Sequence, residues 1–240
     1  MTKTVSRLLV ATMVVAGVVG TSARADAAFL SYICDDILCT GGGDTFVVDQ
    51  GPGDNFPGSA LLGQINSGAL NVAGFTIVTN VSQTRPLIGS ASAPQLDLTF
   101  SAVTSDNNSH TVYLYASDTG FTGAGAFSLT LGGTQPAPGA GNSITAGAWG
   151  GNSNTNLNLS NALATVTSTG TPFALSASGV VSPLLNPYGL TIGVAITRTA
   201  AGTTTGDLHL QVPEPASMML FGLGLVGFAA KRRQRAKQTA

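Results

Sequence analysis

Residues 96–102 read LDLTFSA, and their alternation decides the fold. Leu96, Leu98, Phe100 and Ala102 fall on one side of an extended chain, with Asp97, Thr99 and Ser101 on the other. Period two means a strand with one buried face and one wet face. The same rhythm recurs downstream. Val112, Leu114 and Ala116 alternate with Thr111, Tyr113 and Tyr115. Phe127, Leu129 and Leu131 alternate with Ser128 and Thr130. Residues 173–177 and 188–197 read similarly, and Leu208, Leu210 and Val212 form a final strand.

Turn chemistry separates these runs. SDNNS at 105–109, the Gly132–Gly133 pair, PAPG at 136–139 and GGN at 150–152 supply residues that tolerate positive φ or fix a bend. No stretch of this region carries a helical period. Seven or more short strands with such punctuation predict a single antiparallel β-sandwich or jelly-roll-like domain. About 184 residues suffice for one sizeable core. The Asn-rich run NSNTNLNLSN at 152–161 reads as a surface loop entering a strand. Composition agrees with a folded body: 43% of the 240 residues are apolar and 9% are charged.

The two ends read differently. Lys3 and Arg7 precede an uncharged, mostly apolar run from Leu8 to Gly20, and Ala23 and Ala25 are the small residues a signal peptidase reads. Residues 1–25 are therefore expected to be a signal-peptide helix, cut between Ala25 and Asp26, with a cut after Ala27 as the alternative. At the other end, Ala216 to Ala230 is an uncharged, mostly apolar segment, and five bases follow between Lys231 and Lys237. As a helix it covers roughly 22 Å, a marginal span that snorkelling Lys and Arg extend. The positive-inside rule keeps 231–240 cytoplasmic, so an exported body lies outside.

Between body and span stands Val212-Pro213-Glu214-Pro215-Ala216-Ser217. Each proline fixes its own φ, lacks an N–H and pushes the residue before it out of helical geometry. The result is an extended, unpaired peptide, the shape that proteases and transpeptidases take. This hexapeptide, the short apolar segment and the basic cluster resemble the PEP-CTERM sorting signal of Gram-negative bacteria. The resemblance covers 212–240, with the motif at 212–217, the transmembrane helix at 216–230 and the basic tail at 231–240. It implies processing near Pro213, Glu214 and Pro215 by an exosortase-type membrane enzyme, and a link to exopolysaccharide and biofilm matrix. The tail is also described as an ice-binding C-terminal domain, a label that implies no ice binding. The body, 26–211, is similar to other PEP-CTERM proteins at 117–123, 127–131 and 187–192, a looser likeness that implies no activity.

Charge narrows the partners. Eleven acids stand against two bases from Asp26 to Glu214, a balance near −9, and no Lys lies between Lys3 and Lys231. That excludes a nucleic-acid surface, which needs clustered cations. It also closes a Schiff-base mechanism. No nucleophile elbow surrounds His110 or His209, no P-loop is present, and the sequence calls for no cofactor and no enzyme.

Cys34 and Cys39 are the only cysteines, and on an exported chain a disulfide is the expectation. Asp44, Asp49 and Asp54 are calcium candidates without EF-hand spacing, set against the plainer reading of a solvated Asp/Gly loop. Tyr113, Tyr115 and Trp149 are candidate glycan contacts, set against core or edge packing. The Thr runs at 165–171 and 203–205 fit strand propensity as well as ice binding.

The functional expectation is an exported surface or matrix protein, anchored in the inner membrane as a precursor. A polysaccharide-binding module, with or without calcium, is the alternative. One outcome follows from the sorting motif. Glu214→Ala should leave export intact while the unprocessed form accumulates in the membrane. Fractionation with mass measurement checks this, and equal processing of mutant and wild type contradicts it.

Overall fold

Leu96, Leu98, Phe100 and Ala102 are all at most 1% exposed, so the face chosen by alternation is the buried one. The computed structural model describes residues 29–55, 62–136, 141–181 and 186–213, and among them it contains thirteen strands and no helix. The expected signal segment 1–25 and span 216–230 lie outside these residues. Among the described residues no helix is long and apolar enough to cross a membrane.

Strands are numbered in chain order. The first sheet runs β10 (Ala162–Ser168), β9 (Ser143–Gly151), β12 (Tyr188–Arg198), β7 (His110–Phe121), β1 (Leu30–Cys34) and β2 (Thr45–Val48). The second runs β11 (Phe173–Val181), β8 (Gly125–Thr134), β13 (Gly202–Gln211), β6 (Gln95–Thr104), β5 (Phe75–Gln83) and β3 (Gln64–Asn66), with β4 (Leu70–Val72) also on β5. Every pairing is antiparallel. From β7 to β9 each strand lies in the opposite sheet from its predecessor, as do β11, β12 and β13. This is the expected antiparallel β-sandwich.

The core forms where the two inner faces meet. Val112, Leu114, Ala116, Ile192, Val194 and Ile196 from the first sheet are buried with Leu129, Leu131, Leu208 and Leu210 from the second. Burial of apolar area is the main driving force, about 25 cal/mol per Å². Several polar residues that enter this layer are paired. Asn80 Nδ2 donates to Ser31 Oγ at 2.9 Å, joining the sheets. Asp118 is fully buried, 3.5 Å from Arg85 Nε, and accepts from Thr84 Oγ1 at 2.8 Å and from the Thr119 N–H at 2.7 Å. Burial raises the Asp118 carboxyl pKa, and these partners pull it down only in part.

The last strand carries a boundary. Val212 is fully buried, and its N–H donates to Pro94 O at 2.9 Å, while Pro213 is exposed. Val212 belongs at once to the sorting hexapeptide and to the packed body. The core closes one residue before Pro213.

Candidate functional site

The outer face of the first sheet is where the candidate aromatic residues converge, and its register explains how. Across five strands the paired positions are Tyr32, Tyr115, Gly193, Gly147 and Thr165. The next paired row on that face holds Ser117, Thr191 and Trp149. The row beyond Tyr115 holds Cys34, Tyr113, Ala195 and Thr145. Two glycines side by side leave a trough in the sheet, and two rings fill it. A Cβ on Gly193 would stand 2.1 Å from the Tyr115 ring, and one on Gly147 would stand 2.5 Å from the Trp149 ring. Tyr115 and Trp149 therefore meet edge to face, with centroids 6.0 Å apart. Tyr113 stacks nearly parallel to Tyr115 at 6.5 Å. Both geometries are favoured arrangements of aromatic quadrupoles.

Two loops fold over this face. The first follows β1 and is closed by the Cys34–Cys39 disulfide, with Cα atoms 5.2 Å apart. Asp36 organises it by accepting from the N–H groups of Leu38 at 2.7 Å and Thr40 at 3.0 Å. The loop is fastened to the sheet where Tyr115 Oη donates to Ile37 O at 3.0 Å. The second loop is the Asn-rich run, which enters β10 as expected. Leu157 N–H donates to Ser117 Oγ at 2.9 Å, and Ser117 Oγ lies 2.8 Å from Thr191 Oγ1. Gly150 N–H donates to Asn161 O at 3.0 Å, closing the loop beside Trp149. Between the loops lies a cleft of about 430 Å³, with Leu38 on one wall and residues 155–160 on the other.

The three candidate glycan contacts are thus one cluster with divided roles. Tyr113 and Trp149 remain part-exposed. Tyr115 is 2% exposed, covered by the disulfide loop, so its ring has no free face for a ligand. Burial, followed by the fields of Tyr113 and Asp36, pushes its hydroxyl well above the ordinary tyrosine range. It is a packing residue. Sequence alternation missed Leu38, Phe46 and Tyr32, which extend the apolar margin of this face. Phe46 is 62% exposed, and its ring lies 6.2 Å from Tyr32.

The acids resolve differently from the sequence expectation. Asp54 is buried and accepts from the N–H groups of Asn66 at 3.1 Å and Gln50 at 3.2 Å. Asp49 accepts from the Gly63 N–H at 2.8 Å. Both are committed to turn backbone and do not join Asp44. Among the described residues, the group of three acids close enough to hold a cation is Asp35, Asp36 and Asp44, with ligand atoms within 4.8 Å of one another. Local desolvation, a hydrogen bond to Asp44 and the charges of Asp44 and Asp36 raise the Asp35 carboxyl pKa. Carboxylates this close disfavour one another's charged form.

The histidines stand apart from the cleft. His110 Nε2 lies 2.9 Å from Asp106 Oδ1, at a turn. His209, on the outer face of the second sheet, has Nδ1 3.3 Å from Asp97 Oδ2. In the sequence His209 alternates with Leu208 and Leu210, and the structure keeps it on the polar face while adding this ion pair.

A family model described as the PEP-CTERM protein-sorting motif matches residues 211–233. The chain carries a PEP-CTERM sorting motif. The motif marks an exported protein sorted to the cell surface. No curated protein matches the chain. Among solved structures, one match comes from work on carbohydrate-binding modules of the β-sandwich superfamily: 13% identity, 78% of this chain and 73% of that one, TM-score 0.34. A second is the module TmCBM61 in complex with β-1,4-galactotriose: 10% identity, 55% and 87%, TM-score 0.30. A third is a family 11 carbohydrate-binding module from Clostridium thermocellum in complex with a mixed-linked tetrasaccharide: 9% identity, 65% and 98%, TM-score 0.27. The architecture of this PEP-CTERM protein rests on its own strand pairing rather than on scores of this size.

Two outcomes test the local account. Gly193→Ala should cost about 1–3 kcal/mol, because the new methyl must displace the Tyr115 ring. Urea unfolding measures the loss, and weakened near-ultraviolet dichroism of the Tyr–Trp cluster should accompany it. His209 gives the second. The hydrogen bond to Asp97 raises its pKa, partial burial lowers it, and the charges of Asp97 and Asp207 raise it further, for a net rise. A folded pKa above the unfolded value of about 6.5 gives stability that is full below that value. The contribution is lost as pH rises through the folded pKa. His209→Gln should flatten the decline in urea midpoint over that interval.

Proposed function

We propose that this protein is an exported, polysaccharide-associated surface protein whose outer sheet face, bearing Tyr113, Trp149 and the cleft between the two loops, receives a glycan chain. Residues 1–25 direct export and are removed at Ala25–Asp26. Residues 216–230 hold the precursor in the inner membrane, and an exosortase-type enzyme processes it near Pro213, Glu214 and Pro215. The body then serves at the cell surface or in the extracellular matrix.

The observation that carries the binding role is the aromatic cluster on the sheet face over which the two cleft-walling loops fold. A part-exposed indole and a part-exposed phenol sit on a sheet face whose trough is made by glycine rather than filled by aliphatic residues. Sugar rings offer C–H faces for such rings and hydroxyls for the amides, hydroxyls and backbone of residues 155–160. The disulfide loop and the Asn-rich loop hold the walls, so little ordering is required when a ligand enters.

A matrix protein without a glycan site is the second reading. The exposed apolar residues Phe46, Ile37 and Leu38, at 62%, 53% and 61%, favour it as a contact margin. Affinity electrophoresis through gels containing polysaccharide separates the two. Trp149→Ala and Tyr113→Ala should each weaken retardation about tenfold, corresponding to about 1.4 kcal/mol for a part-buried aromatic contact. Unchanged retardation in both variants, with unchanged circular dichroism, rules the cleft out.

A further inference from the structure

The charge distribution around the cleft narrows the ligand class. Residues 155–160 and Leu38 contain no ionisable side chain. The charges carried by the wall loops themselves are acidic: Asp35 and Asp36 stand in the same disulfide loop as Leu38, and Asp44 completes their group. Among the described residues the surface beyond offers no compensating cation. The described residues contain nine aspartates and two arginines, with no lysine. Both arginines are withdrawn from solvent. Arg198 is 1% exposed, and Nη2 donates to Ala200 O at 3.1 Å. Arg85 has a side chain 16% exposed, paired with Asp118, bonded to Thr119 O and lying 5.2 Å from the centre of the Phe121 ring. Each histidine already faces an aspartate.

Recognition of a uronate, sulfate or phosphate needs Arg or Lys in reach, with Arg giving the bidentate contact. An acidic polymer approaching this face would meet like charge within a Debye length of about 10 Å and no partner to offset the repulsion. A neutral polymer meets none of these costs. Its hydroxyls face amides and hydroxyls, and its ring faces meet Tyr113 and Trp149. We infer that the ligand is a neutral polysaccharide, free of uronate, sulfate and phosphate groups. This deepens the glycan-binding reading and rests on it.

The test uses the purified mature protein with its disulfide intact. Affinity gels are cast with neutral glucans and galactans in one set, and with alginate, polygalacturonate and a sulfated galactan in the other, at low salt. Each set is run with calcium and with chelator. The inference predicts retardation by at least one neutral polymer, at least about tenfold stronger than by any acidic one, and insensitive to chelator. Equal or stronger retardation by an acidic polymer overturns this inference and leaves the glycan reading standing. Acidic retardation that appears only with calcium also overturns it, and would assign the acids at 35, 36 and 44 a bridging cation. Failure of every polymer, neutral and acidic, overturns both.

Discussion

Tyr115 holds the outer face together. Its ring can lie flat on the first sheet because position 193 lacks a side chain, and its hydroxyl reaches up to Ile37 O in the disulfide loop. One residue therefore joins three parts of the chain that are distant in sequence: β7, β12 and the loop after β1. Tyr113 and Trp149 flank it and take their orientation from it. The disulfide shortens the loop it caps, and Asp36 arranges the backbone of that loop, so the cleft wall at Leu38 is held from both sides. A cleft built this way is preformed, and preformed walls lower the ordering cost of any ligand that enters.

The two chain ends bear on how such a face would be presented. Leu30 pairs with Ser117 at the start of β1, and Gln211 pairs with Gln95 at the end of β13. Thr84 bonds both Gln95 O and Asp118, placing those strand ends together. Phe29 and Pro213 thus leave from the same end of the sandwich, the end at which Leu157 is tied to Ser117. Val212 is already core, so the sorting peptide begins without a linker.

Much of this fold was legible in the sequence because period two is a direct consequence of strand geometry. LDLTFSA named its buried face correctly, as did the runs around Leu114, Leu129 and Leu208. The disulfide was legible from compartment and count. What alternation could not distinguish was Tyr113 from Tyr115, since both point to the same outer face. Only the loop that folds back over Tyr115 separates them, and that contact joins residues 78 positions apart. The glycines at 147 and 193 likewise look like weak strand residues until their neighbours across the sheet are known. The acids show the same limit. Asp49 and Asp54 resemble cation ligands in a Gly-rich stretch, yet each satisfies backbone N–H groups of a turn, a demand set by tertiary structure. Spacing does not reveal Asp35 and Asp36, because their partner Asp44 lies across the loop rather than beside them.

The chain's single tryptophan, Trp149, lies within the proposed site, so its emission reports on that site alone. The most direct measurement titrates the mature, oxidised protein with a soluble neutral polysaccharide and records tryptophan emission alongside sedimentation of the complex. A saturable emission change that tracks complex formation is the predicted result. Complex formation with Trp149 emission unmoved would show that glycan is held elsewhere, and would contradict the account.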